Sequence, residues 1–290
     1  MTQETGAVAA ITLEQYLEEA EAVILHRDQS QSAVPLAEIP QGKLRVGVDL
    51  GTAYLVLVVL DELDRPLVGE WQFAQVVRDG LVVDYIGATD LLLGMKKSVE
   101  RRLGRDLTHA VSGFPPGVAS VEVRATANVV QAAGMDCPLL IDEPSAANQI
   151  LHVQNGVIVD VGGGTTGIAI IKDGTVVYTA DEPTGGTHFS LVIAGSLGIS
   201  FEEAEALKIK PEEQSRLYPL VRAVMEKVGS IVLRHIQGYT VEHITLVGGA
   251  SAFTGMAQVI QEYTGISTSV PRRPVFVTPL GLAKFDTYED

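Results

Sequence analysis

The apolar positions follow two periods along this chain. From Leu44 onward, short apolar runs of strand length alternate with stretches whose apolar residues recur every three or four positions, as on one buried face of a helix. LRVGVDL and AYLVLVVL read as two buried strands joined by a Gly-Thr turn, and DELDRP turns the chain toward a third strand. A helix is predicted over YIGATDLLLGMKKSVERRLG, then a strand over THAVSGF that ends in the Pro115-Pro116-Gly117 loop. VEVRATANVVQAAG reads as helix, LLIDEP as strand and PSAANQILHV as helix.

The opening pattern then returns. VGVDLGTAYLVLVVLDELDRP and GVIVDVGGGTTGIAIIKDGTV share one order: apolar strand, Asp, apolar residue, glycine turn with Thr, apolar strand, polar turn. Asp49 and Asp160 hold equivalent places. A duplication of this kind predicts two similar halves facing each other across a cleft. The second half continues with helices near HFSLVIAGSL, in FEEAEALK and from Pro211 to about Gln237, then the strand HITLVGG, a helix from Phe253 to Tyr263 and a last helix after Pro279. The boundaries expected are an extension over 1–43, a first lobe over 44–150, a second over 151–278, and a C-terminal helix over 279–290 that returns to the first lobe.

The first 43 residues are set apart. They hold seven acids against Arg27 and Lys43, with Leu13, Tyr16, Leu17, Ala20 and Ile24 on one helical face and Thr12 and Gln15 placed as a capping box. The polar stretch DQSQSAVPLAEIPQGK follows as a linker. Three readings are open: a helix docked on the body, an amphipathic handle for a partner or a protein shell, or disorder.

Composition narrows the function. The chain has 290 residues, 46% of them hydrophobic, enough for one large α/β unit or two domains. With 21 basic and 36 acidic residues its net charge is −15, so there is no basic footprint for nucleic acid or an anionic membrane. Phosphate, if bound, must be held locally by backbone amides and metal. One cysteine, Cys137, excludes an intrachain disulfide and fits a reducing cytosol; Asp136 beside it is expected to raise its pKa. The run Ala53 to Leu60 falls far short of the ~18 apolar residues of a membrane span, and the N-terminal MTQETGAVAA has no signal pattern. The six histidines show no close ligand spacing. A cytoplasmic protein is expected.

The glycine turns carry the chemistry. Gly162, Gly163 and Gly164 lack Cβ atoms, so the backbone can approach an anion and point N–H groups at it, with the Thr165 hydroxyl as a further donor. Asp160 is suited to hold the water shell of Mg²⁺, and Asp49, Gly51 and Thr52 offer the same parts from the other half. One such turn alone would read as a hairpin; two matched turns with Asp in register do not. Gly248 and Gly249 follow a strand, where an adenine or ribose could approach the backbone, or where strand and helix merely pack closely. Glu205 and Lys208 share a helix face, as a nucleotide contact or as a solvated ion pair.

The order of these motifs resembles the actin/Hsp70/sugar-kinase ATPase superfamily from Leu44 to about Phe285. GVDLGT and VDVGGGTTG resemble its two phosphate loops, IDEPSAA and TPLGLA its connecting helices and LVGGAS its adenosine loop. Within it the chain is most similar to the ethanolamine utilization protein EutJ family, through VVRDGLVVDYIGA, GFPPG, GGGTTGIAI, TADEPTGG and ISFEEAEALK. The resemblance implies an actin/Hsp70-like, ribonuclease H-like duplicated two-lobed α/β fold with a nucleotide cleft and reduced peripheral subdomains. It implies ATP or ADP with Mg²⁺ as ligands. Asp49 and Asp160 would hold the metal's waters, and Thr52, Gly163, Gly164 and Thr165 the phosphates. Glu143 would orient the attacking water, although a Glu before Pro also serves as a helix cap. Gly185 and Gly186 would lie near the nucleotide, Glu205 and Lys208 would meet the ribose or adenine, and Gly248 and Gly249 would pack under the adenosine.

Departures from the pattern shape the functional expectation. Many Hsp70-like members carry an acid where this chain has Gly167; the adenosine loop has Ala250, Ser251 and Ala252 in place of an adenine-stacking arginine; and there is no counterpart of the Hsp70 catalytic lysine or of its substrate-binding domain. At most a slow Mg²⁺-dependent ATPase is expected. The family resemblance implies a chaperone-type protein that assists ethanolamine ammonia-lyase or microcompartment assembly, acting in the cytoplasm or at the microcompartment. The alternatives are an actin-like scaffold of the pilus or division type, a non-hydrolysing nucleotide sensor, and a small-molecule kinase.

Overall fold

A computed structural model describes residues 11–30, 42–78, 81–118 and 120–287. Residues 31–41 of the predicted linker and residues 79–80 lie outside the described residues.

The first half contains α1 (Leu13–Val23), β1 (Ile24–His26), α2 (Arg27–Ser30), β2 (Arg45–Leu50), β3 (Tyr54–Leu60), β4 (Pro66–Phe73), β5 (Val77–Arg78) and β6 (Leu81–Val82). It continues through α3 (Tyr85–Leu103), β7 (Val111–Phe114), α4 (Ser120–Ala132), β8 (Leu140–Asp142) and α5 (Glu143–Leu151). The second half contains β9 (Gly156–Val161), β10 (Thr166–Lys172), β11 (Thr175–Glu182), α6 (Gly186–Leu197), α7 (Phe201–Lys208), α8 (Pro211–His235), β12 (Ile244–Val247), α9 (Met256–Thr264), β13 (Thr268–Ser269) and α10 (Val277–Lys284).

The predicted duplication is visible strand by strand. β2, β3 and β4 have 6, 7 and 8 residues, and so do β9, β10 and β11. Both sets run antiparallel and are extended by parallel strands, giving the orders β4-β3-β2-β7-β8 and β11-β10-β9-β12-β13. Asp49 and Asp160 are each the fifth residue of the first strand in their set.

Each sheet is buried on both faces, which explains the near-continuous apolar runs of its central strands. α3 and α4 cover the outer face of the first sheet through Leu92, Met95, Val99 and Val129. α6, α8 and α9 cover the outer face of the second through Phe189, Leu217, Met225 and Ile260. Between the halves, the inner sides of β3 and β10 share a third core with α5 and α10. These two helices cross closely, since a Cβ on Gly281 of α10 would lie 1.8 Å from the carbonyl oxygen of Ala146 of α5. Only glycine fits there, so this crossing fixes how closely the two helices pack between the halves.

Three local expectations are corrected. The last helix begins at Val277, which places Pro279 in its first turn, where a missing N–H costs no helical hydrogen bond. The helix expected over 253–263 begins only at Met256, because Gly255 at its N-cap takes a left-handed φ of 87°, and a separate 3-10 turn at Gly249–Ala252 precedes it. The third concerns the extension. Residues 13–23 form the predicted helix, with the Thr12–Gln15 capping box in place, but Ile24–His26 leave it as a sixth strand parallel to β4. Leu17, Ala20 and Ile24 are buried against β3, so the docked reading describes residues 11–30. The strand also covers the otherwise open edge of β4.

Candidate functional site

The two glycine turns meet at the centre of the cleft. A Cβ on Gly163 would stand 2.8 Å from the Ala53 nitrogen and 2.7 Å from its Cβ. Behind the second turn, the N-terminus of α6 holds the loop from outside: Gly186 N donates to the Gly162 carbonyl at 2.9 Å and Thr187 N to the Gly163 carbonyl at 2.7 Å. Gly162 N closes the turn onto the Thr165 carbonyl at 3.0 Å, and with the Gly162 and Gly163 carbonyls bonded to α6 no loop carbonyl of these two glycines is left to repel an anion in the cleft.

All the residues nominated from sequence line this one cleft except two. Gly164 lies at its mouth beside Thr52 and Thr187. Gly185 is behind the loop, where a Cβ would meet the Gly162 and Gly163 oxygens at 2.7 Å, so it serves as a buttress rather than a ligand contact.

Asp49, Asp160 and Glu143 come together at the floor. Burial raises the pKa of each, and like charges raise two of them further: Asp160 acts on Asp49, and both aspartates act on Glu143. Thr278 at the start of α10 opposes the shift at Asp160 by donating to its Oδ2 at 3.2 Å. Sequence reasoning placed Thr278 in a connecting helix but gave it no role. Mutual repulsion among half-buried carboxylates is the condition a divalent cation relieves. Among the described residues no cluster of three or more His, Cys, Asp or Glu is close enough to chelate a metal directly. The carboxylates of Asp49 and Asp160 would suit a hard cation such as Mg²⁺, which would supply charge neutralisation there. The N-cap of α5 is Asp142, whose carboxylate accepts from Ser145 N at 3.0 Å, leaving Glu143 free to face the cleft.

The space vacated by Gly167 is not without charge. Asp181 on β11 pairs across the ladder with Gly167, and its Oδ1 lies 3.8 Å from where a Cβ on Gly167 would be. Asp181 also contributes to the raised pKa of Glu143. The acid missing from β10 thus has a neighbour on the next strand, which no spacing in the sequence announced.

Glu205 and Lys208 are buried, contrary to the solvated reading. Lys208 Nζ donates to Glu205 Oε2 at 2.6 Å and to the Gly186 carbonyl at 3.1 Å, while Ser190 Oγ donates to the same Oε2 at 2.6 Å. Burial lowers the Lys208 pKa, and the charge of Glu205 opposes that shift. Glu205 Oε1 is buried and has no hydrogen-bond partner among the described residues. A buried carboxylate oxygen left without a donor is costly, and a ribose hydroxyl would satisfy it. Gly248, at φ 83°, belongs to the same constellation: a Cβ there would lie 2.2 Å from Asp160 Oδ1. Its backbone and its neighbour both require glycine.

Cys137 is far from this chemistry. Burial, and not the neighbouring Asp136 as expected, pushes its thiol up to about 11, which leaves it a weak nucleophile. No helix among the described residues is long and apolar enough to cross a membrane.

Comparison with known proteins agrees with this architecture. The family model of the type IV pilus assembly protein PilM matches residues 141–275. The ethanolamine utilization protein EutJ of Escherichia coli (strain K12) is 40% identical over 244 residues, covering 84% of this chain and 86% of the relative. The crystal structure of EutJ from Carboxydothermus hydrogenoformans superposes with a TM-score of 0.86 at 42% identity, covering 94% of this chain and 98% of that one. A structure of MreB5 of Spiroplasma citri bound to AMPPNP shares the fold at 18% identity, with a TM-score of 0.68 over 85% of this chain and 97% of the other. With a duplicated α/β body, two opposed phosphate-type turns and this level of identity over most of both lengths, the chain belongs to the ethanolamine utilization protein EutJ family and has the actin-like ATPase fold.

Proposed function

We propose that this chain is an ATP-binding, chaperone-type protein of ethanolamine utilization whose lobes, 44–150 and 151–278, close on Mg·ATP. One observation carries the reading: two glycine turns from duplicated strand pairs oppose each other across the half-buried Asp49 and Asp160, with an unpaired Glu205 oxygen in the same cleft. Gly163, Gly164, Thr52 and Thr165 hold phosphates, Asp49 and Asp160 hold the metal's waters, and Glu205 with Lys208 takes the ribose. Bound Mg²⁺ supplies charge neutralisation at the phosphates. Glu143 is placed to orient a water.

Binding shifts the lobes toward closure only if nucleotide contacts both halves better when they are closed. The opposed turns supply that difference, because each half carries one of them. The closed surface is then what a client meets, and ethanolamine ammonia-lyase or a microcompartment protein is the client class the family name favours. Glycine at 167 supports slow turnover, or a sensor that does not hydrolyse, since phosphoryl transfer depends on placed charge.

Calorimetry of the purified chain with Mg·ATP tests the reading. Saturable binding that disappears in Asp160→Ala is expected, and no heat at millimolar nucleotide would sink it. Retention of the ammonia-lyase from extract, compared with and without ATP, tests the client.

A further inference from the structure

The cleft continues past the adenosine loop into a pocket walled by Tyr54 and Trp71 of the first sheet and by Phe253, Arg273 and Val275 of the second half. Tyr54, Gly249, Ala250 and Val275 line both spaces. A nucleotide with its phosphates between the turns and its ribose at Glu205 therefore directs its base here. The walls suit a flat, polarisable ring. The Tyr54 and Trp71 rings lie 4.7 Å apart, and the small side chains at Ala250 and Ala252 leave the loop's side of the pocket open.

Two of these walls are held by the N-terminal segment. Arg273 has a left-handed φ of 48°, a strained conformation for a residue with a Cβ that persists only where its surroundings fix it. Its guanidinium is paired with Glu21 of α1. Trp71 has the His26 ring of β1 edge-on at 5.3 Å and Phe276 at 6.0 Å. Arg273 belongs to the second half and Glu21 to a helix docked on the first, so the pair also spans the two.

We infer that Arg273 and Trp71 recognise the base of a purine nucleotide, and that Glu21 is a positioning residue that sets the Arg273 guanidinium against that base. An arginine on an aromatic face supplies the stacking that the alanines of the adenosine loop do not. The acidic extension is then a working part of the nucleotide site. This rests on the nucleotide reading proposed above.

Trp71 is the only tryptophan, so its emission reports on the pocket. The full chain is titrated with Mg·ATP and Mg·UTP while emission and heat are followed. The expected result is a saturable change in Trp71 emission with ATP, and a preference for ATP over UTP. Arg273→Asn, whose side chain tolerates the left-handed backbone, should weaken ATP binding about tenfold and erase most of the preference. Glu21→Gln should lose several-fold, and adding it to Arg273→Asn should cost nothing further, since Glu21 acts through Arg273. Arg273→Lys keeps the charge without the planar fork and should fall between wild type and Arg273→Asn, which serves if the asparagine variant folds poorly. Wild-type ATP binding with silent Trp71 emission, with Arg273→Asn within twofold of wild type, or with additive losses in the double variant overturns this inference while leaving nucleotide binding intact. Absence of ATP binding in the wild type overturns both.

Discussion

Replacing Gly163 with alanine tests the claim that the two phosphate turns close on each other. The added methyl would stand 2.7 Å from the Ala53 Cβ and 2.8 Å from its nitrogen. Ordinary contact begins near 3.4 Å, so the turns must part by ~0.7 Å. Gly163 and Ala53 belong to opposite halves, and one of the clashing atoms is backbone that no rotamer change can move. Overpacking of this kind costs about 1–3 kcal/mol. Without nucleotide the halves can swing apart and shed most of that cost, so melting should change little. With nucleotide the methyl opposes closure and the cost falls on binding, a loss of about 5- to 150-fold in Mg·ATP affinity. Gly162→Ala is the internal control, because a Cβ there meets only the Thr165 oxygen at 3.6 Å. Calorimetry with Mg·ATP on both variants, alongside thermal melts with and without nucleotide, reads the result. Equal affinity in Gly163→Ala and wild type, or an equal loss in Gly162→Ala, would refute the closure geometry.

Further outcomes follow from other parts of the structure. Glu205→Ala strands the buried Lys208 ammonium, a change that costs about 3–5 kcal/mol and should lower the calorimetric melting temperature by roughly 10 °C. Gly167→Asp places a second carboxylate beside Asp181 Oδ1 and should destabilise the metal-free protein, with Mg·ATP restoring part of the loss; an unchanged melt in chelator would count against that placement. The pKa of Glu21 is lowered, first by its hydrogen bond from Arg273, so its contribution is present above its ordinary value of 4.5 and fades as pH falls through the depressed one. Wild type should therefore melt above Glu21→Gln at pH 6, and the two curves should converge toward pH 3.

The strands, both glycine turns and the duplication were legible in the sequence because each is local. A turn that must admit an anion needs glycines within a few consecutive residues, and a strand buried on both faces shows as an unbroken apolar run. That is why Asp49 and Asp160 could be aligned before their positions in space were known. Gly185 was legible only as a motif member expected near the nucleotide, and the structure packs it against the Gly162 and Gly163 carbonyls. Glu205 and Lys208 were visible as neighbours on a helix, but their burial depends on α6 and the glycine turns packing over them.

What the tertiary structure decided lies between elements distant in sequence. Asp181 meets the space beside Gly167 only through the β10–β11 register, and Thr278 reaches Asp160 only because α10 returns to the cleft. Trp71 reads as an ordinary strand residue, Arg273 as a loop cation and Glu21 as one acid among seven, until the edge pairing of β1 with β4 brings them to one pocket. The sequence by itself determined a duplicated α/β body with a matched Asp and glycine turn in each half, because these are encoded in contiguous spacing. The base pocket and the role of the N-terminal helix come from long-range packing, which leaves no period in the chain to read.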